Sequence, residues 1–324
     1  MIREIAGDFY RITLPMPFRL NHINVYALIG DSRVTLFDTG LNTPETFYAL
    51  ETALKRIGRS VQEIDRIFIT HRHGDHCGMV GRLRDCSGAQ ILMTDTDYAS
   101  IRAEFDMHQR IIEMQSFYRF HGLGEDAIGT LAAVFKGWHK MTGTFPLDHP
   151  LQSGETFDIG KRHFEVLPAS GHSCGQVCFF FRDEGILLAG DHLLPEITPN
   201  LSPDLLNPDF RPLDRYLSSL TAMEDLPVRT VYPAHGQPFT NFRERIEEIR
   251  EHHRERRNLT LAAVRENGKS AFEVSVDLFG EDLPDFDKFL ALNETYVHLI
   301  ELVREGMIQT GIQENRCFYR RMHL

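Results

Sequence analysis

The stretch FITHRHGDHCG, residues 68–78, places three histidines and an aspartate within six positions: His71, His73, Asp75 and His76. Crowding of that kind is a poor way to build an apolar core, because each imidazole or carboxylate needs a polar partner once it leaves water. The stretch continues RIFIT (66–70), a short apolar run that reads as a strand. Where a loop leaves a strand, alternate residues turn to one side. His71 and His73 are therefore placed to chelate one ion, with Asp75 and His76 directed to a neighbouring position.

Three distant stretches repeat the pattern of a ligating residue at a strand end. ASGHSCGQ (169–176) holds His172 in a loop flanked by glycines, LLAGDHL (187–193) sets Asp191 after the apolar run ILLAG, and VYPAHGQ (231–237) sets His235 after RTVY. In layered folds, strand ends gather their loops along one edge. Four separate segments with donors at that point identify a metal site rather than chance packing.

The remaining text supplies the layers. FYRITL (9–14), INVYALI (23–29), RVTLFDTG (33–40), AQILM (89–93), HFEVLPAS (163–170) and QVCFFF (176–181) read as strands, and Phe47, Leu50 and Leu54 after Pro44 follow a helical period. Such alternation indicates a layered domain of strands and helices. Residues 97–146 interrupt the strands with a helical stretch in which Ile101, Phe105, His108, Ile112 and Met114 are periodic. Phe117, Tyr118, Phe120, Phe135 and Trp138 add aromatic bulk there. That insertion is expected to pack on its own domain or to form a pocket wall or dimer surface. From about residue 242 three helical patterns follow, FRERIEEIREHHRERRNLTLAAVREN, AFEVSVDLFG and FDKFLALNETYVHLIELVREG, and MIQTGIQENRCFYRRM reads as two strands about a turn at Gln313–Asn315.

At this point a resemblance is specific. THRHGDHCG, with His172, Asp191 and His235 downstream and LFDTG (36–40) upstream, resembles the metallo-β-lactamase-fold hydrolases over roughly residues 8–240. The resemblance implies an α+β fold, a four-layer αββα sandwich with the helical insertion at about 97–146, as a catalytic domain of residues 1–242. Residues 243–324 resemble, more loosely, the winged-helix extension found in some of these hydrolases. The resemblance further implies that His71, His73 and His172 bind one divalent ion, that Asp75, His76 and His235 bind a second, and that Asp191 bridges both. Asp38 matches the motif aspartate that steadies the ligand loop from behind, and Asp75 is a candidate proton shuttle. Imidazole and carboxylate donors suit zinc and also accept iron(II) or manganese(II). Two such ions would carry a bridging hydroxide as nucleophile. One class of zinc β-lactamases has a cysteine where Asp191 stands and lacks a histidine at position 76, so antibiotic hydrolysis is not expected. The ligand set is similar to that of glyoxalase II-type thioesterases, lactonases and metal-dependent nucleases.

Composition narrows the substrate. The net charge of the 324-residue chain is −11, and from Asn241 to Leu324 there are 13 Lys and Arg against 16 Asp and Glu, a balance that disfavours a nucleic-acid partner. The expected substrate is a small acyl compound, a thioester or lactone. The alternatives are a metal-dependent nuclease or phosphodiesterase and, with less support, a metal-binding sensor without turnover. Five scattered cysteines read as reduced thiols in a cytoplasmic protein, and no stretch reaches the roughly 20 apolar residues of a membrane span. The N-terminal text carries no expected signal peptide, and the apolar insertion and the C-terminal segment each offer a surface for a homodimer. Cys77 and Cys174 are expected as thiols lining the loops, His192 as directed away from Asp191, and His22 as a turn histidine near the site mouth. His252 and His253 are expected as solvated residues of a charged helix.

Overall fold

The computed structural model describes residues 1–103, 107–140 and 145–322, and the side chains of 138–140 fall outside that description. Phe105 and the Trp138 side chain, both assigned to the apolar insertion from sequence, thus lie outside the described residues.

Two sheets face each other. The first runs β1 (Ile2–Ala6), β2 (Phe9–Pro15), β3 (His22–Gly30), β4 (Arg33–Phe37), β5 (Ile64–Phe68), β6 (Gln90–Met93) and β7 (His149–Pro150), in that spatial order. The second contains β8 (Thr156–Ile159), β9 (Arg162–Pro168), β10 (Val177–Phe181), β11 (Ile186–Gly190) and β12 (Thr230–Pro233), in the order β12-β11-β10-β9-β8. Pairing is antiparallel from β1 to β4 and from β8 to β11. It is parallel from β4 to β7 and between β11 and β12.

The alternation of side chains along each strand builds the layers. In β10, Phe179 and Phe181 enter the space between the sheets, where they meet Phe9, Phe37, Phe68 and Phe164. Their neighbours Cys178 and Phe180 point the other way, onto α7 (Pro212–Met223) and α8 (Phe242–Ala263). In β4, Phe37 faces the second sheet while Val34 and Leu36 face α1 (Pro44–Arg56) and the short helices α2 (Gly74–Cys77) and α3 (Val80–Ser87). The result is the expected αββα sandwich. Its central layer is held by aromatic contacts such as Phe37 with Phe179 at 5.1 Å between ring centroids. Each fully buried Phe there contributes about 2 kcal/mol of transfer free energy.

The insertion forms α4 (Asp95–Ala103), α5 (Met107–Phe120) and α6 (Glu125–Lys140). After α8 come α9 (Ala271–Phe279), α10 (Asp285–Arg304) and the hairpin β13 (Ile308–Gln313) and β14 (Arg316–Arg321). The hairpin turns at Glu314 and Asn315, both at positive φ, as a tight two-residue β-turn requires. Met114, Tyr118, Ile128 and Leu131 share one core with Val274, Phe289, Leu292, Leu299 and Tyr319. These apolar side chains of the insertion thus pack against α9, α10 and β14. Among the described residues, no helix is long and apolar enough to cross a membrane.

His253 corrects the sequence expectation. It is 4% exposed, packs on Tyr216, and its Nδ1 lies 3.4 Å from His298 Nε2 on α10. The helix is charged overall, yet Phe242, Ile246, Ile249, His253 and Thr260 recur on one face and are buried. His252 is only half-buried and lies 3.3 Å from Glu294.

Candidate metal centre

All of the sequence-assigned donors converge where β4, β5, β11 and β12 end. His71, His73, Asp75 and His76 follow β5 through the first turn of α2, His172 lies in the β9–β10 loop, and Asp191 and His235 follow β11 and β12. Among the described residues, the groups of donors lying within 4.8 Å of one another are His71, His73 and His172; His71, His76 and Asp191; and Asp75, His76 and His235.

The geometry divides around Asp191. Its Oδ2 lies 3.4 Å from His172 Nε2, and its Oδ1 lies 3.4 Å from both His76 Nε2 and His235 Nε2. Asp75 Oδ2 approaches His235 Nε2 at 3.3 Å and His76 Nε2 at 3.7 Å. On the other side, His71 Nε2 and His73 Nδ1 are 3.0 Å apart. Among the described residues, the Nε2 atoms of His76, His172 and His235 and Oδ1 of Asp191 are buried without a hydrogen-bond partner. Buried polar atoms are ordinarily bonded. Here they face one another across a short gap, which is the arrangement a divalent ion completes. The donor set of imidazoles and carboxylates, with thiolates absent from these groups, fits such an ion.

Each of four imidazoles is held by its far nitrogen, which fixes ring orientation and leaves the near nitrogen as the donor. His76 Nδ1 lies 2.8 Å from Asp38 Oδ2, His71 Nδ1 is 3.0 Å from Thr70 Oγ1, His172 Nδ1 donates to the Asn200 carbonyl at 2.8 Å, and His235 Nδ1 donates to the His22 carbonyl at 2.8 Å. Asp38 carries this scaffold. It sits at φ 61°, a left-handed conformation uncommon outside glycine, and accepts from the Thr70 amide at 2.8 Å and the Thr70 hydroxyl at 2.8 Å. Close backbone approach completes the loop. A Cβ on Gly78 would lie 2.3 Å from the Gly74 carbonyl, and one on Gly171, itself at φ 146°, would lie 2.5 Å from the Tyr216 side chain.

Charge follows from burial and neighbours. Burial and the adjacent imidazoles hold His71 and His73 well below the usual histidine range, so both offer neutral lone pairs. Burial also opposes charge on His76 and His235. Asp191 and its neighbouring carboxylates outweigh it, raising His76 well above its ordinary value and His235 to about 9. Against the same burial, His76 and His235 bring Asp75 down to about 2, and Asp191 is held well below the carboxylate range by His235 and His76.

Several contributors carried no sequence signal. Asp97, fully buried at the start of α4, accepts from the Arg72 amide at 2.9 Å, the Ser173 hydroxyl at 2.7 Å and the Gly175 amide at 2.7 Å, tying the His71–His73 loop to the His172 loop. Thr70 and Asn200 act as described above. His22, expected as a turn residue, starts β3, supports His235 through its carbonyl and places Nε2 3.4 Å from the Gly236 amide. Cys77 is buried and donates to the Arg72 carbonyl at 3.2 Å, Cys174 is half-buried beside Asn207, and His192 turns to Ser219 on α7.

Residues 19–235 match the model of the metallo-beta-lactamase superfamily. The chain is 27% identical over 319 residues to the "Probable metallo-hydrolase YqjP" of Bacillus subtilis (strain 168), covering 97% of this chain and 98% of that protein. Two solved structures extend over nearly the whole chain. A metallo-beta-lactamase family protein from Thermus thermophilus, TTHA1429, superimposes with a TM-score of 0.86 at 29% identity, covering 98% of this chain and 100% of that one. A beta-lactamase domain protein from Burkholderia ambifaria gives 0.86 at 26% identity, covering 99% and 94%.

Proposed function

The chain belongs to the metallo-beta-lactamase superfamily, and from that premise we propose that it is a metallo-hydrolase of small acyl substrates, thioesters or lactones, using two divalent ions, in the first instance zinc. The observation that carries the hydrolytic reading is the set of buried, unbonded donor atoms of His76, His172, His235 and Asp191 facing one another. His71, His73 and His172 would hold one ion, Asp75, His76 and His235 the other, with Asp191 between them. When bound, the ions supply Lewis acidity and a nucleophile from water near neutral pH.

The residues of this chain do the rest. Asp38, Thr70, Asn200 and the His22 carbonyl orient the imidazoles. The Asp75 side chain is 20% exposed, against 12% for Asp191, so it is the more open of these two carboxylates. It is the shuttle in this reading. Water oxygen bonds to the acyl carbon, the carbon–sulfur or carbon–oxygen bond breaks, and a proton moves by way of Asp75 Oδ2 to the departing sulfur or oxygen.

The substrate class is supported by the segments that adjoin the donors. Residues 16–21, leading into His22, expose Phe18 and Leu20. The segment after Asp191, which supplies Asn200, exposes Ile197 and Leu206. Exposed apolar side chains on these segments and a body of net charge −11 favour an acyl chain over a polyanion. The test is a panel of thioesters and lactones assayed beside single-stranded RNA, with wild type and His73→Ala. Thioester or lactone turnover lost in the variant is the expected result. RNA cleavage lost in the variant, with no acyl turnover, overturns the substrate class.

A further inference from the structure

The candidate ligand His172 is connected to helices far from it by a run of hydrogen bonds. His172 Nδ1 donates to the backbone carbonyl of Asn200 at 2.8 Å. The Asn200 side chain is clamped at both ends: its Nδ2 donates to the Leu290 carbonyl on α10 at 3.3 Å, and its Oδ1 accepts from Ser202 Oγ at 2.7 Å. Ser202 Oγ in turn accepts from Asn293 Nδ2 at 3.0 Å, and Asn293 Oδ1 accepts from Tyr118 OH at 2.8 Å. Tyr118 lies on α5 and Asn293 on α10.

Every group in this run is used in one sense. The tyrosine hydroxyl donates to the amide oxygen, the amide nitrogen to the serine, and the serine to the second amide. That polarity also assigns the Asn293 amide orientation, and bonds aligned head to tail strengthen one another. Asn293 is 0% exposed and Tyr118 is 3% exposed, beside a largely apolar core that includes Leu292, Phe289 and Leu299. A fully buried asparagine in the middle of a helix is a costly way to fill space, since an apolar residue of similar volume needs no partners. One of its two bonds leads through Ser202 and Asn200 toward the metal centre, and the other comes from Tyr118 on α5.

We propose that Asn293 is a positioning residue for His172, acting through Ser202 and Asn200, so that α5 and α10 set the affinity of the cation group formed by His71, His73 and His172. The inference rests on the metal reading above and adds to it the role of the helices outside the sandwich. Holding the Asn200 side chain at both ends fixes the direction of its carbonyl. That carbonyl fixes the imidazole plane and aims Nε2 at the side of Asp191 Oδ2, 3.4 Å away.

The experiment titrates chelator-stripped full-length protein with zinc against a chromophoric chelator, in wild type, Ser202→Ala, Ser202→Thr, Asn293→Ala and Tyr118→Phe. Loss of such a supporting bond typically weakens metal binding about 10–100-fold, so at least one zinc dissociation constant is expected to rise by about tenfold or more in Ser202→Ala and Asn293→Ala. Ser202→Thr keeps the hydroxyl and returns the constant to the wild-type value. Tyr118→Phe gives an intermediate rise. Thermal unfolding of the stripped proteins is measured in parallel. Ser202 is half-buried outside α5 and α10, so Ser202→Ala remains folded should Asn293→Ala not. Wild-type zinc constants in folded Ser202→Ala, or equal weakening in Ser202→Ala and Ser202→Thr, overturn the relay alone. A wild-type protein that takes no zinc from the chelator overturns the metal reading, and the relay with it.

Discussion

Asp38 Oδ2 lies 2.8 Å from His76 Nδ1, joining the left-handed turn after β4 to the helix that follows β5. The same carboxylate accepts from the amide and hydroxyl of Thr70, and Thr70 in turn contacts His71. One buried side chain thus steadies the segment that carries four of the seven candidate ligands, His71, His73, Asp75 and His76.

Asp38→Ala strands the Thr70 amide and hydroxyl without their carboxylate acceptor and leaves His76 Nδ1 only the longer contact to Thr70 Oγ1 at 3.2 Å. Leaving buried donors unsatisfied costs about 1–3 kcal/mol each, so the expected loss is about 3 kcal/mol in urea unfolding. Bound metal falls in the same variant. Unchanged stability together with full metal content would show that other acceptors replace the carboxylate.

Asp191 faces both halves of the centre, at 3.4 Å from His172 on one side and from His76 and His235 on the other. Asp191→Ala is expected to lower metal content, measured by elemental analysis, more than His73→Ala does. Chelator treatment of the wild type is expected to abolish hydrolysis, and added zinc, manganese(II) or iron(II) to restore it. Activity that survives complete removal of metal would contradict the proposed chemistry.

Asp97→Asn tests the tie between the two ligand loops. The amide keeps one acceptor oxygen where the carboxylate used both, for Arg72 N and Ser173 on one side and Gly175 N on the other. Charge-assisted bonds contribute about 1.5–3 kcal/mol each, and the expected cost is about 2 kcal/mol in chemical denaturation. Zinc affinity falls as well, since the His71–His73 and His172 loops lose their common anchor.

Acid sensitivity is expected away from the centre. Burial pushes His253 and His298, which face each other across α8 and α10, down to about 3, and His121 down to about 4. In the unfolded chain each titrates near 6.5, so between about pH 6.5 and 3–4 the unfolded state binds more protons. Their contribution is complete above pH 6.5 and declines on acidification, by up to about 1.4 kcal/mol per pH unit for each group. Urea midpoints at pH 7.5 and 5.0 measure the loss. A His253→Leu, His298→Leu double variant is expected to lose less between the two, and an equal loss would assign the acid sensitivity elsewhere.

How much was legible depended on how local the information is. The donors His71, His73, Asp75 and His76 lie within one loop, and His172, Asp191 and His235 each follow an apolar run. Strand ends, candidate ligands and the layered fold could therefore be read in the one-dimensional text. The apolar run QVCFFF and the period of the α8 face also stand in the sequence. In the structure that face carries His253 inside, against the solvated reading that the average charge of its helix suggested. What depends on pairing across the chain was not legible. Asp97 gains its role from partners 25 to 78 positions away, and Asn293 carries no signal in the sequence until α10 packs beside Tyr118 and Ser202. The sequence by itself determined which groups can bind a cation and where strands end, because side-chain chemistry and hydrophobic period are local properties. Only the tertiary structure decided which groups aim those donors, because a hydrogen bond joins atoms by distance and direction and leaves no pattern in the order of residues.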